Sequence, residues 1–314
     1  MRIGIVVDST CDLPQQFIEG HHITLLPISV HLDGHDMVDT RDAQATRDYY
    51  RGEASKRGHA AETEPLSVEA IRELFLGRLV LDYDCVFCLT VTASRSLVHA
   101  HASRASFAIL KDYRAVRKAA GNNNPFLMRV IDTRSLFAGQ GISAVEAQRL
   151  IAEGASPAAI RERTEMLAGQ TYAYALARDL NYLRARTRRR GDRSVSLFSA
   201  ALGTALDIKP TLLCFRGETR PVAKSRGFEQ GARNLFAHAA ERVGHGLLTN
   251  AVCVSYGGEL AELQALPGYE ELADTCRQHR VTLYASVMSI TGMVNIGTGA
   301  LTVGFASETY EPSF

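Results

Sequence analysis

The stretch Asp84-Cys-Val-Phe-Cys-Leu-Thr-Val-Thr-Ala-Ser-Arg-Ser96 changes character half-way along. Cys85 to Val91 is apolar and β-prone, the pattern of a strand buried on both faces of a parallel sheet. Thr90, Thr92, Ser94 and Ser96 then crowd hydroxyls together, and Leu97 to Ala119 has the composition of a helix. The hydroxyls therefore fall where a strand's carboxyl end turns into a helix's amino end. In open α/β sheets ligands bind at such turns. The N–H groups and partial positive charge of a helix N-terminus favour an anion there. Two readings are open: Ser94 or Ser96 only caps the helix, or the turn holds an anionic ligand.

Upstream, Ile3 to Val7 is a short apolar strand that stops at Asp8-Ser9-Thr10. That trio is expected to cap a short helix with Leu13, Phe17 and Ile18, with Pro14 early in it. Ile23 to Val30 reads as a second strand, followed by a polar stretch with Gly34 and Asp39-Thr40 and a helical segment with Tyr49 and Tyr50. Pro65 keeps Glu64 extended, and Ser67 caps a helix carrying Ile71, Leu74, Phe75 and Leu79. Downstream, Met128 to Asp132 is another buried strand, and Gly139-Gln-Gly141 opens a helix through Ile151. This alternation predicts an α/β fold with a parallel sheet and helices on both faces. Asp8-Ser9-Thr10, Thr92 to Ser96 and Asp132-Thr133 all follow strand carboxyl ends. They are expected to share one edge of the sheet and form a single polar site.

Glu153-Gly-Ala-Ser-Pro157 reads as a turn with Ser156 as N-cap and Pro157 at the first helical position. A domain junction is expected there, giving domains 1–155 and 156–314. The second half reads as a strand Tyr172 to Ala177, a helix Arg178 to Arg190, an Ala-rich helix Ser196 to Leu206 and a hairpin Thr211 to Ala223 around Gly217. A helix Phe228 to Val243, a strand Ala251 to Tyr256, two helices about Pro267, and strands Val281 to Ala285 and Ala300 to Phe305 follow. Hairpin plus alternating elements predicts a mixed sheet covered by helices.

The chain has 314 residues, 46% hydrophobic and 22% charged, with net charge +1, so no global field points to nucleic acid or membrane. No apolar run approaches the roughly 20 residues of a membrane span. Met1 to Asp8 is not a signal peptide, since its apolar part is short and ends in a carboxylate, and a cytoplasmic location is expected. Cys85 and Cys88 form a C-x-x-C, but odd spacing on a strand points the thiols to opposite faces. Buried free thiols are favoured over zinc.

Gly139-Gln-Gly141-Ile-Ser-Ala144 matches a dinucleotide pattern. It starts seven residues after the strand-end Asp132, where the true motif turns directly from strand to helix, so a packed helix start is favoured. Neither G-x-S-x-G nor a P-loop is present. Arg184 to Arg193 holds six arginines. It is read as a solvated helix end whose cations complement the helix dipole, ahead of a patch for nucleic acid, anionic lipid or an acidic partner. Val287 to Leu301 is apolar and Gly-punctuated, with two methionines suited to an adaptable apolar wall; a plain β-turn into the last strand is the simpler alternative. With the central hydroxyl turn, it suggests a ligand with a small anionic head and an apolar body.

Taken in order, these segments resemble the DegV-type fatty-acid-binding proteins across essentially the whole chain. The carrying residues are Asp8-Ser9-Thr10, Thr63-Glu-Pro65, Thr92-Ala-Ser-Arg-Ser96, Asp132-Thr133 through Gly139 and Gly141, Leu206-Asp-Ile-Lys209-Pro210, Arg226, and Gly297-Thr-Gly299-Ala-Leu. The resemblance implies the two-domain EDD fold with a long-chain fatty acid between the domains, its carboxylate on hydroxyls and its tail in an apolar tunnel. It implies a carrier in phospholipid metabolism, not a catalyst, with no cofactor beyond the bound acid. Its partner would be a separate ATP-dependent fatty acid kinase that makes the acyl phosphate. By position Thr63 and Ser96 hold the carboxylate, with Thr92 nearby and Arg226 as the hairpin-end arginine. Asn295 stands where the family usually has His.

Other departures are Glu62 beside the expected carboxylate, where a like charge would repel it, Leu97-Val98-His99 after Ser96, and Thr298 in place of Pro. They mark a divergent branch. Two rival readings remain: an enzyme of the same architecture using Ser96 for phosphotransfer or hydrolysis, and a regulatory module acting through the arginine run.

Overall fold

The computed structural model describes residues 1–190 and 207–314. Strands β1 (Ile3–Asp8), β2 (Thr24–Leu26), β6 (Cys85–Thr90) and β7 (Leu127–Asp132) form a parallel sheet in the order β2-β1-β6-β7. Every residue of β6 is buried. Cys85, Phe87 and Leu89 face one core and Val86 and Cys88 the other, so helices cover both faces and the two thiols point apart. Both are free and buried.

Strands β3 (Ile28–Leu32), β4 (His35–Asp39) and β5 (Glu62–Pro65) make a small antiparallel sheet in the order β4-β3-β5. The expected single strand Ile23 to Val30 is thus divided. Pro27 offers no N–H to a ladder, and the chain leaves one sheet and enters another there. The β3–β4 hairpin closes through Asp33-Gly34, at φ 51° and 78°. The Asp-Gly pair was the signal for this hairpin, in a stretch read only as polar.

The second half builds a six-stranded mixed sheet from β8 (Thr171–Leu176), β9 (Ile208–Phe215), β10 (Glu218–Arg226), β11 (Ala251–Tyr256), β12 (Thr282–Val287) and β13 (Leu301–Ala306). Its order is β10-β9-β8-β13-β11-β12, with β11–β12 the parallel pair. The expected helix Ser196 to Leu206 lies outside the described residues.

Among the described residues, four helices position the site: α1 (Val98–Ala108), α2 (Ala138–Ala152), α3 (Leu180–Arg189) and α4 (Ile290–Ile296). The expected long helix from Leu97 is broken. A 3-10 turn over Ile109–Lys111 follows α1, and a new helix runs Tyr113–Ala119. The break comes at Asp112, a poor helix former, whose carboxylate pairs with Arg72 of the neighbouring helix. Helix α2 is buried all round from Ala138 to Ala147, Gln140, Ser143 and Glu146 included, because it is packed between the two large sheets. A Cβ on Gly139 would lie 2.5 Å from the Ala173 Cβ of β8, and one on Gly304 of β13 would lie 2.5 Å from Gly139 Cα. The glycine pair thus serves close helix–sheet packing, as favoured over a nucleotide site. Among the described residues no helix is long and apolar enough to cross a membrane.

Two local expectations need correction. Asp8-Ser9-Thr10 does not cap the first helix (Gln15–Gly20), whose N-cap is Pro14 with no side-chain bond. Residues 290–296 are helix α4, not a plain turn, with Ser289 as N-cap accepting from Gly292 N–H at 3.0 Å.

Candidate ligand-binding site

The three strand-end turns do meet. Val91 N–H and Gln140 Nε2 donate to Asp8 Oδ2 at 2.7 and 3.0 Å, and Thr10 Oγ1 donates to Asp8 Oδ1 at 2.5 Å. Thr133 Oγ1 donates to Thr90 O at 2.8 Å. Burial outweighs these bonds and raises the Asp8 pKa above its ordinary value. This knot fixes where the chain leaves β6.

Beyond it the hydroxyl turn opens onto a cavity of about 480 Å³ between the parallel sheet's carboxyl edge and the mixed sheet, a size usual for small-molecule sites. Its polar lining includes Thr63, Ser94, Ser96, Arg186, Arg190 and Asn295. Its apolar lining includes Leu136, Phe137, Ala175, Leu212 and Ile296, with Cys214. Burial pushes the Cys214 thiol up to about 11, so it stays protonated and packs as a small apolar group. Phe137 stands at φ 48°, rare for a large side chain. Such strain persists where the surroundings enforce it, often at ligand sites.

Strand alternation presents Thr63. Along β5, Thr63 and Pro65 line the cavity, while Glu62 and Glu64 point to solvent. Glu62 is paired outside with Arg189 at 3.1 Å. The repulsion expected from Glu62 is therefore relieved by the pleat.

Helix α1 begins at Val98 with no side-chain cap. Ser96 Oγ accepts only a long 3.4 Å bond from Val98 N–H. Ser94 Oγ instead donates to Gly217 O at 2.5 Å, docking the β9–β10 hairpin tip on the turn. The capping reading does not account for either serine.

Asn295 comes from α4. Its Nδ2 donates to Thr291 O at 2.8 Å, and its Oδ1 accepts from Arg186 Nε (3.2 Å), Arg186 Nη2 (3.0 Å) and Arg190 Nη1 (2.7 Å). The arginine run is thus not simply a solvated helix end. Arg186 is 4% exposed, and Arg190 also donates to Arg95 O at 2.7 Å. The neutral amide oxygen suits this place, since a cation at 295 would face two guanidiniums.

The family model described as "Uncharacterised protein, DegV family" matches residues 2–308. The chain belongs to the DegV family. A DegV domain-containing protein of Xanthomonas axonopodis pv. citri is 58% identical over 310 residues, 99% of each chain. A Thermotoga maritima protein named fatty acid-binding protein is 24% identical over 314 residues, 99% of each. A solved stearic-acid-binding protein of Eubacterium ventriosum superposes with TM-score 0.76 at 21% identity, covering 98% of both chains. DegV of Bacillus subtilis, described as a fatty acid binding protein, superposes at 0.73 with 20% identity over 98% of this chain and 100% of its own. These superpositions establish the DegV fold.

Within that fold, the structure brings Thr63, Ser96 and Asn295 to one cavity and leaves two expected residues off its wall. Thr92 is buried and lies 3.1 Å from Ser94 Oγ, turned toward the Gly217 hairpin. Arg226 ends β10 and is exposed. Sequence reasoning missed Arg186. Its signal was position: Tyr182, Leu183, Arg186 and Thr187 form the buried stripe of α3, and an arginine on an apolar stripe is unusual.

Proposed function

We propose that this DegV-family chain binds one long-chain fatty acid, with the carboxylate at Thr63, Ser96 and Asn295 and the tail along Leu136, Phe137, Ala175, Leu212 and Ile296. The observation that carries this is the mixed lining of the cavity, hydroxyls, an amide and guanidiniums together with apolar side chains. The relatives named as fatty acid-binding and stearic-acid-binding proteins support the ligand class. Burying a C16 tail at about 0.8 kcal/mol per CH₂ contributes on the order of 10 kcal/mol. The donors around the head offset desolvation of the carboxylate. Residues 1–155 and 156–314 act as two domains, the first supplying Thr63 and Ser96 and the second Asn295 and most of the tail wall. The chain acts as a carrier in the cytoplasm and presents the acid to a separate ATP-dependent kinase for acyl-phosphate formation. Native mass spectrometry of the freshly purified protein, followed by extraction, tests the binding. One fatty acid per chain is expected. A protein that takes up neither palmitate nor oleate would overturn the reading.

A further inference from the structure

We infer that Arg186 is the fixed cation of this head-group site, the residue that makes the cavity prefer a carboxylate over an uncharged lipid of the same length. The inference rests on the fatty-acid reading above and adds the charge that the hydroxyls cannot supply.

Arg186 lines the cavity from α3 and is almost wholly buried. Its acceptors are neutral: Asn295 Oδ1, through Nε and Nη2, and the carbonyl of Ala61, through Nη1. Glu62, the residue after Ala61, faces outward and pairs with Arg189 rather than Arg186. Buried charges are ordinarily paired with an opposite charge, because an unpaired one is costly to desolvate. A guanidinium has five N–H donors, and these bonds occupy three, leaving two for a ligand oxygen. The frame around Arg186 is the head-group frame itself. Ala61 precedes Thr63 by two residues, and Arg190, which shares the Asn295 oxygen, bonds the carbonyl of Arg95 beside Ser96. One buried cation therefore stands among the three residues proposed to hold the head. Burial, then the neighbouring Arg190 and Arg189, lower its pKa to about 10, so it stays charged at neutral pH.

The test compares palmitate with hexadecanol, which has the same chain and no charge, by displacement titration on full-length wild type, Arg186→Gln and Arg186→Lys. Wild type is expected to favour the acid. Arg186→Gln should weaken palmitate by roughly 10- to 100-fold, the loss of charge-assisted hydrogen bonds, and leave hexadecanol within about threefold. Arg186→Lys should recover most of the preference. If Arg186→Gln weakens acid and alcohol equally, Arg186 only shapes the cavity and the inference fails. Unchanged palmitate binding overturns it too. Should Arg186→Gln not fold, Asn295→Asp serves in its place. Its carboxylate would neutralise the arginines from within and should abolish the preference for the acid. Retained preference refutes the inference. Wild type binding neither lipid would overturn the fatty-acid reading itself, and this inference with it.

Discussion

His238 makes the stability of this protein depend on pH. It projects from the helix Phe228–His245 onto the back of β8, where its Nε2 lies 3.2 Å from the Tyr174 hydroxyl and 2.9 Å from that of Tyr310. The Phe314 ring stacks on it at 4.5 Å. Burial in this aromatic nest pushes its pKa down from 6.5 to about 4. Between those values the unfolded chain holds a proton that the folded chain refuses. Its contribution to stability is therefore whole above pH 6.5 and is lost as pH falls toward 4. At pH 5 the loss is about 2 kcal/mol. His238→Phe removes the titration and keeps an aromatic ring. The two tyrosines keep each other as partners at 2.7 Å. Urea unfolding of both proteins at pH 7 and pH 5 reads the difference. Wild type should lose about 2 kcal/mol more than the variant between the two pH values. Equal losses would mean that His238 titrates normally and that burial does not govern it.

Three other outcomes follow from the same structure. Thr63→Ala and Ser96→Ala should each weaken palmitate binding by roughly 10- to 150-fold, the worth of one charge-assisted hydrogen bond, and leave the thermal midpoint of the lipid-free protein nearly unchanged; full affinity in both would remove the head-group assignment. Arg117, 1% exposed, donates to Asn124 O, Val80 O, Tyr83 O and Asp84 Oδ1 at 2.6–2.9 Å. Arg117→Met should cost about 2–4 kcal/mol in chemical denaturation, since it takes a donor from three carbonyls and leaves Asp84 with Arg2 alone. Gly139→Val should prevent α2 from seating on β8, where even a Cβ would meet Ser135 Oγ at 2.3 Å, and lower stability by a few kcal/mol; a variant as stable as wild type would show that the two sheets can move apart.

The elements most legible in the sequence were those whose pattern is local. Cys85–Thr90 is a continuous apolar run, Ser156-Pro157 a cap with its proline, and Arg216-Gly217 a hairpin turn, and each stands where expected. The turn carrying Ser96 was legible because hydroxyls after a β-prone run are chemically out of place in a core, whereas Thr63 was singled out only by the family resemblance. What was not legible depends on partners distant in sequence. Arg186 reads as one more charge in a basic run until Asn295 and the Ala61 carbonyl are brought to it across more than a hundred residues. Glu62 reads as a repelling neighbour of Thr63 until the register of β5 turns it outward. The helix break after Lys111 falls at Asp112, whose partner Arg72 comes from another helix.

The same long-range logic explains why the first half of the chain controls a residue of the second. Helix α4 is short, and nothing in its own seven residues fixes its direction. Its start is instead held by two buried aspartates of the first half. Asp12 Oδ1 accepts from Ser289 N–H at 3.0 Å, and Asp39 Oδ2 accepts from Thr291 N–H at 2.8 Å. Carboxylates at a helix N-terminus complement its dipole and its orphan N–H groups. Arg41 locks the arrangement, bonding Asp12 at 2.7 Å and the Val287 carbonyl at 3.2 Å. Ser255 of the mixed sheet donates to the remaining Asp12 oxygen at 2.7 Å. Asn295 lies one turn along this helix from Thr291, so its place in the cavity is set by residues 12, 39 and 41 as much as by its own segment. A ligand head bridging Thr63, Ser96 and Asn295 would thus span elements already bound together through a buried ionic cluster, which keeps the donors in place before the ligand arrives.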